Sequence, residues 1–458
     1  MDGFVGDPFI TSGLLAIKLN TGFNIGECPE DKLKQASEQL VELYLTPAWS
    51  KELQSIFPNS TYIQSAKNYD KKGKSIEFLH DLIEGLNSEN NNDGYCVFCG
   101  SPAHQRNDGK PFVKTQVPLI GSSDFTNFFP SFKNGMDLCA KCALAIQFSP
   151  LLYYKSGGKP CCISCNNLFV LEKFGQECIE YITQKNAAGS FDSKENSGIF
   201  NEGFKNPQNA LFNLAYKFIN YEREEEAIDK EEIVLYLMDN YNQNPAGVSI
   251  YKLPNNVFSF VASVMHSPEL KDVWYSLLSK HYWGKKDKKS GLPIWKTNYN
   301  QIHDYLLKNR SILRFFRDDV NKKTTVPWIL VENYMQRVRN VNQNRINAIK
   351  DYADRIAQCI TESKKTKRIN DLISAKDFPT FKNQLRMIGK DWQTLGKQEP
   401  LITFDDYVYS IMPDDYSNWR DVQNLITIRL YEELHPILAN TDEEITDIDE
   451  ERAEGEQI

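Results

Sequence analysis

Two Cys-x-x-Cys pairs, Cys96/Cys99 and Cys139/Cys142, constrain this chain more than any other feature. Each pair can bring two thiolates to one ion, and four thiolates in a tetrahedron suit Zn²⁺, which has no redox chemistry of its own. The first pair sits in Tyr95-Cys96-Val97-Phe98-Cys99-Gly100, ending in a glycine that can supply the positive φ of a knuckle turn. The spacer of 39 residues is longer than the roughly 15–20 of a usual zinc ribbon. Loop-closure entropy rises slowly with length, so one shared site remains open to it. The spacing predicts a structural Zn²⁺ held by Cys96, Cys99, Cys139 and Cys142; the alternative is two pairs of buried, reduced cysteines. Four sulfurs leave no position for a reacting water, so a catalytic zinc is not expected.

Ten cysteines in an exported chain would suggest disulfides. The opening Met1-Asp2-Gly3-Phe4-Val5-Gly6-Asp7 lacks the basic, apolar and small-residue order of a signal peptide. No apolar run reaches the roughly 18 residues of a membrane span. The expectation is a cytoplasmic protein whose cysteines are reduced or metal-bound.

The net charge of −8 hides a strong asymmetry. Residues 1–280 carry 25 basic and 33 acidic side chains, and 441–458 hold nine acids against one arginine. Two blocks run the other way: 281–323 with 11 basic against 4 acidic, and 337–397 with 14 against 6. Phosphate binding depends on local positive surface, so the second half can engage nucleic acid.

Periodicity predicts an α+β protein. A mixed α/β body covers 1–325, with a zinc-knuckle lobe around 95–145. A helical bundle covers 326–440, and an acidic, disordered tail covers 441–458. Within the body, Thr11-Ser12 can cap a short helix over 13–19, and 31–45 reads helical. The stretch 87–94 is a polar loop, and 155–159 a basic, glycine-bearing loop. Residues 185–206 read as a surface loop. Both 248–253 and 257–264 read as strands, and Ser267-Pro268-Glu269 opens a helix. Later stripes run through Trp328, Val331, Met335, Val338, Val341 and Ile346 as one helix, then through Tyr352, Ile356, Cys359 and Ile360. Phe381, Leu385 and Ile388 mark another, and Val422, Leu425, Ile426, Leu430 and Leu434 the last.

Several groups have a functional and a structural reading. Cys161, Cys162 and Cys165 could bind a second metal or exchange into the first, but they lack a partner pair; burial is the simpler reading, as for Cys178 and Cys359. His104 could replace a thiolate, or stand on an exposed turn. His80-Asp81 and His303-Asp304 resemble metal-ligand dipeptides, yet the six histidines are scattered, which favours packing. No phosphate loop, dinucleotide fingerprint or nucleophile elbow occurs, so no enzyme activity is expected. The basic runs are Lys285, Lys286, Lys288 and Lys289; Lys322 and Lys323; and Lys364, Lys365, Lys367 and Arg368. With Lys155 and Lys159 they are the candidate nucleic-acid contacts, against the alternative of solvated loops. Tyr282, Trp283, Trp295 and Tyr299 flank the first run, as on surfaces that track single strands by charge and stacking.

Certain motifs carry a resemblance. They are Gly6-Asp7-Pro8-Phe9-Ile10-Thr11-Ser12-Gly13-Leu14, Pro118-Leu119-Ile120-Gly121-Ser122, Asn127-Phe128-Phe129-Pro130, and Gly135-Met136-Asp137-Leu138-Cys139-Ala140-Lys141-Cys142-Ala143-Leu144-Ala145. With Cys96-x-x-Cys99 they resemble the CXXC–CXXC family of large subunits from type I-B CRISPR effector (Cascade) complexes, specifically over roughly 1–165. Such complexes also occur in CRISPR-associated transposons. The resemblance implies a non-catalytic subunit of an RNA-guided antiviral surveillance complex. It would recognise the motif flanking the target (the PAM) in double-stranded DNA, support R-loop formation, and recruit a helicase–nuclease or transposition proteins. Its partners would be CRISPR RNA, target DNA, and the backbone, repeat-processing and small subunits. The bundle at 326–440 would resemble a small subunit, with Met335 as an internal start from which it could be made alone. Cys161, Cys162 and Cys165 are not part of the family pattern.

Two rival readings remain. A zinc-containing nuclease or deaminase-like enzyme would need motifs that are missing: Pro160-Cys161-Cys162-Ile163-Ser164-Cys165 has no accompanying His-x-Glu. A stand-alone RNA-binding zinc protein would bind RNA without partners.

Overall fold

The computed structural model describes residues 6–88, 91–120, 135–221, 231–239, 247–285, 291–413 and 417–438. The aromatic stretch with Phe125, Phe128, Phe129 and Phe132, the motif residues 121–122 and 127–130, the lysines Lys286, Lys288 and Lys289, and the acidic tail 441–458 lie outside them. The fold is mixed α+β with a helical C-terminal region. Two compact units form: residues 1–255 with 284–299, and residues 256–283 with 300–458. This division does not coincide with a boundary at 325/326.

The first unit opens with helices α1 (Pro8–Thr21), α2 (Glu30–Tyr44), α3 (Pro47–Ile56) and α4 (Lys71–Glu84). The cap of α1 is Asp7, not Thr11-Ser12: its carboxylate accepts from the Phe9 and Ile10 amides at 2.9 and 3.0 Å. Pro8 at the first position costs no hydrogen bond there. Thr11 and Ser12 are buried inside α1. The strand β1 (Asn91–Tyr95) occupies the second half of the expected polar loop and pairs with β2 (Pro102–His104). Helix α5 (Ala140–Phe148) begins within the second cysteine pair.

A four-stranded antiparallel sheet runs in the order β3 (Tyr154–Ser156), β4 (Lys159–Cys165), β5 (Ile233–Asp239), β6 (Gly247–Leu253). Helices α6 (Leu168–Ala187) and α7 (Pro207–Tyr221) come between β4 and β5 in the chain. Four consecutive buried positions, Pro160 to Ile163, show that β4 is covered on both faces. The stretch 185–206 is not a solvated loop. Its Phe191, Ile199, Phe200 and Phe204 are buried, and Gly198 lies so close to Trp49 that an added Cβ would sit 2.6 Å from the indole.

In the second unit, α8 (Asn255–His266) replaces the expected strand at 257–264. Ser259 and Ser263, four residues apart, lie on its less buried face, a helical rather than a strand period. Here Phe260 packs edge-on against Trp274 of α9 (Pro268–Lys280) and Tyr334, at 5.4 and 5.7 Å. Ser267 caps α9, as expected. The short α10 (Ile294–Thr297) belongs to the first unit, while α11 (Gln301–Leu307) and the hairpin β7 (Arg317–Asp318) and β8 (Lys323–Thr324) belong to the second. The stripe through Trp328 and Ile346 splits into α12 (Trp328–Arg337) and α13 (Gln343–Ser363), because Asn340 turns at φ 54° and Asn342 caps the new helix. The bundle is completed by α14 (Lys367–Ile373), α15 (Phe378–Thr394) and α16 (Trp419–Leu438); the expected stripes of α15 and α16 are buried. A product starting at Met335 would lack α8, α9 and α11, which belong to the same unit.

Helix α1 packs closely on α5. A Cβ on Gly13 would sit 1.8 Å from the Ala145 carbonyl oxygen. In an isolated helix interior, Gly→Ala gains about 1 kcal/mol. Here the overlap outweighs that gain, and Gly13→Ala should lower unfolding free energy by about 3 kcal/mol, read from denaturant midpoints.

Candidate metal centre

Backbone hydrogen bonds hold the two cysteine pairs against each other. After β1, Cys96 donates its amide to the Ser101 carbonyl at 2.7 Å, and Gly100, at φ 73°, donates to Cys96 at 2.8 Å. Those bonds close the first knuckle. Across to the second, Val97 donates to Asp137 at 3.1 Å and His104 to Leu138 at 2.8 Å. Cys139 is the N-cap of α5, and its Sγ accepts from the Cys142 amide at 3.4 Å. The amide-bearing start of α5 therefore faces the Cys139 sulfur.

All four sulfurs lie within 4.8 Å of one another, and Cys99 Sγ is 3.5 Å from Cys139 Sγ. A tetrahedral ion with bonds of about 2.3 Å would set sulfurs about 3.8 Å apart, so the donor set fits one such ion. Cys96, Cys139 and Cys142 are buried; Cys99 is exposed. The crowding pushes the Cys142 thiol up, through hydrogen bonds with Cys139 and Cys96 and then burial. Without a cation the four cannot all be thiolates. The arrangement is consistent with Zn²⁺.

Behind the knuckles, α4 anchors the segment that leaves β2. Asp81 accepts from the Asn107 amide at 3.3 Å and lies 3.2 Å from His104 Nε2. The Arg106 guanidinium lies 5.3 Å from both the Phe78 and Phe112 rings and pairs with Asp108 at 2.8 Å. His104 is thus neither an exposed turn residue nor a ligand. It is buried beside Gly85, where an added Cβ would meet its ring at 2.5 Å. No spacing signals this; the partner carboxylate, 23 residues upstream, belongs to the His80-Asp81 dipeptide. His80 itself lies 3.5 Å from Glu38.

Cys161, Cys162 and Cys165 are buried on β4, outside the four-sulfur group, and Cys178 and Cys359 are buried too. Burial pushes Cys161 up to about 12 and Cys162 higher, so they stay thiols. Cys162 packs 3.5 Å from Ser12 Oγ of α1.

The basic candidates divide. Lys155 is on β3 in a hairpin turned by Gly157 and Gly158, both at positive φ, not on a loop. It forms a buried ion pair with Glu52, which also accepts from Ser197 Oγ at 3.0 Å. Two adjacent glycines between alternating residues were the legible sign of that hairpin. Lys159 is half-buried at the start of β4. Lys365 and Arg368 both pair with buried Asp391, at 2.6 and 2.7 Å. Lys322 is buried at φ 48°, and its carbonyl is 3.2 Å from His435 Nδ1. Lys285, Lys323, Lys364 and Lys367 are exposed. Of the flanking aromatics, Trp283, Trp295 and Tyr299 are exposed and Tyr282 is half-buried.

Residues 89–154 match a family model described as CRISPR-associated protein (Cas_CXXC_CXXC). The matched span contains both cysteine pairs and all of α5, and it supports a CRISPR-associated role. No curated protein and no solved structure matches the chain. Among the described residues no helix is long and apolar enough to cross a membrane.

Metal analysis of the purified chain should find one divalent ion per molecule, and Cys142→Ser should reduce that to a small fraction. A second prediction concerns His303, which is buried on α11 and pushed down to about 3 by desolvation. An unfolded histidine titrates near 6.5, so the unfolded chain takes up a proton that the folded one refuses. Stability from this group is complete above pH 6.5 and is lost as pH falls toward 3, at up to about 1.4 kcal/mol per pH unit. Denaturant midpoints of His303→Gln between pH 4 and 7 should fall less steeply than those of the parent.

Proposed function

We propose that the chain is a non-catalytic large subunit of an RNA-guided CRISPR effector complex of type I-B, with one structural Zn²⁺ on Cys96, Cys99, Cys139 and Cys142. One observation carries this reading: the four-sulfur cluster falls inside the span that matches the CRISPR-associated family. Zn²⁺ in such a site supplies folding energy, because a closed four-sulfur shell has no open position for substrate or water. The chain's own residues hold the two knuckles at the start of α5, and α5 is held by α1.

In RNA-guided recognition, guide pairing reads the target while protein reads a short flanking motif and holds the opened strands by their backbones. The chain's part in this division would be to contact the flanking motif in duplex DNA, support the R-loop and recruit a helicase–nuclease or transposition proteins. Lys285, Lys323, Lys364 and Lys367 are the exposed cations best suited to phosphates. Lys155, Lys365 and Arg368 are committed to carboxylates of their own unit and contribute less. The partners would be CRISPR RNA and the backbone, repeat-processing and small subunits.

Tagged protein recovered from its native host should bring down repeat-derived RNA and other complex subunits. The recovered assembly should bind duplex DNA in a salt-sensitive way, with one zinc per copy of this chain. Recovery of neither RNA nor partners overturns the proposal. Metal-dependent cleavage of single-stranded DNA by the isolated chain would favour the nuclease reading, and tight RNA binding without partners the stand-alone one.

A further inference from the structure

We infer, resting on the metal reading proposed above, that Cys99 is a peroxide-sensitive modification site. Hydrogen peroxide oxidises its sulfur, Cys139 closes a disulfide onto it, and the divalent ion leaves while the lobe stays folded. Of the ten cysteines only Cys99 is exposed; Cys28 is half-buried and the other eight are buried. A metal-bound thiolate is still a nucleophile, so exposure decides which sulfur an oxidant in water reaches first.

The knuckle turn leaves the approach to Cys99 clear. A Cβ on Gly100, the next residue, would meet nothing within 4 Å among the described residues, and Tyr95 and Val97 are exposed beside it. The second sulfur is already in place. Cys139 Sγ lies 3.5 Å from Cys99 Sγ, is buried, and is held at the start of α5 by the Cys142 amide. An exposed sulfur in contact with a buried one is the arrangement in which oxidation ends as a disulfide and goes no further. Cys28 lies outside the four-sulfur group.

The chemistry balances in two steps. First, a lone pair of the Cys99 sulfur attacks a peroxide oxygen, the O–O bond breaks, and hydroxide leaves to become water, giving a sulfenic acid. Next, the Cys139 sulfur attacks the Cys99 sulfur, the S–O bond breaks, the S–S bond forms, and a second water leaves. The two sulfurs give up two electrons, the peroxide accepts them, and solvent supplies the protons. Cys96 and Cys142 then remain as donors, and two sulfurs do not complete a closed four-coordinate shell. The backbone bonds from Val97 to Asp137 and from His104 to Leu138 involve no sulfur, and neither does Arg106 beside Phe78 and Phe112. Those contacts keep the lobe folded once the ion has gone.

The test uses the full chain loaded with Zn²⁺, its metal content measured before treatment. Titration with hydrogen peroxide should release the ion to a chromophoric chelator in step with the loss of two thiols per chain. Differential alkylation and peptide mapping should find Cys99–Cys139 as the main disulfide, with the far-UV circular dichroism unchanged. Dithiothreitol with added Zn²⁺ should restore both the thiols and the ion. In Cys139→Ser, dimedone should label Cys99 about fivefold more than in the parent, because no sulfur resolves the sulfenic acid. A main disulfide between any other pair, first oxidation at another cysteine, ion release with all four thiols intact, or unfolding in step with release overturns the inference. A chain that holds its ion and all four thiols under peroxide overturns it too and leaves the metal reading standing. A chain with no divalent ion before treatment overturns the metal reading and the release step together.

Discussion

Four sulfur atoms within 4.8 Å of each other create an electrostatic problem that the surrounding lobe is built to manage. Thiolates at that spacing repel strongly, and three of the four cysteines are buried, where charge costs more. A single divalent cation resolves the conflict, and the N-terminus of α5 supports it by aiming the Cys142 amide at Cys139 Sγ. Backbone bonds from Val97 to Asp137 and from His104 to Leu138 hold the knuckles in register, so the fold itself brings the sulfurs together.

The knuckles matter beyond their own loop because α5 is shared. Its first turn carries two of the cysteines, and its middle meets α1 so closely that Gly13 has no room for a methyl group against Ala145. From α1 the contact continues to the sheet through Ser12 and Cys162. On its other side, the Gln147 carbonyl accepts from Tyr44 at 2.7 Å. The N-terminal glycine motif and the cysteine motif, more than 120 residues apart in the chain, are two faces of one packed joint.

Much of this was legible in advance. Helices α2, α9 and α16 are read directly from apolar spacing, because an amphipathic helix writes its buried face every three or four residues. The four cysteines were legible for a similar reason: local spacing presents both sulfurs of a pair to one point. Reading failed where a residue's role depends on a distant partner. Lys155 looked like a loop cation until Glu52, 103 residues away, was seen to meet it. His104 looked exposed until Asp81 and Gly85 enclosed it. Lys365 and Arg368 looked like half of a phosphate-binding run until Asp391 claimed both. Helix α8 failed differently: the apolar run 257–264 was read as a strand, although Ser259 and Ser263, four residues apart, mark the less buried face of a helix.

The sequence by itself determined the chemistry available: two sulfur pairs, a basic second half, an acidic end and an α+β alternation of apolar residues. These are local properties, set by residue type and by spacing over a few positions. Only the tertiary structure decided which charges remain exposed. A lysine's availability depends on whether a carboxylate from another element lies within about 3 Å, and that distance is set by how helices and strands pack. The cysteines escaped this uncertainty because their distance to one another within each pair is written in the chain. Bringing the two pairs together, across 39 intervening residues, was still the work of the fold.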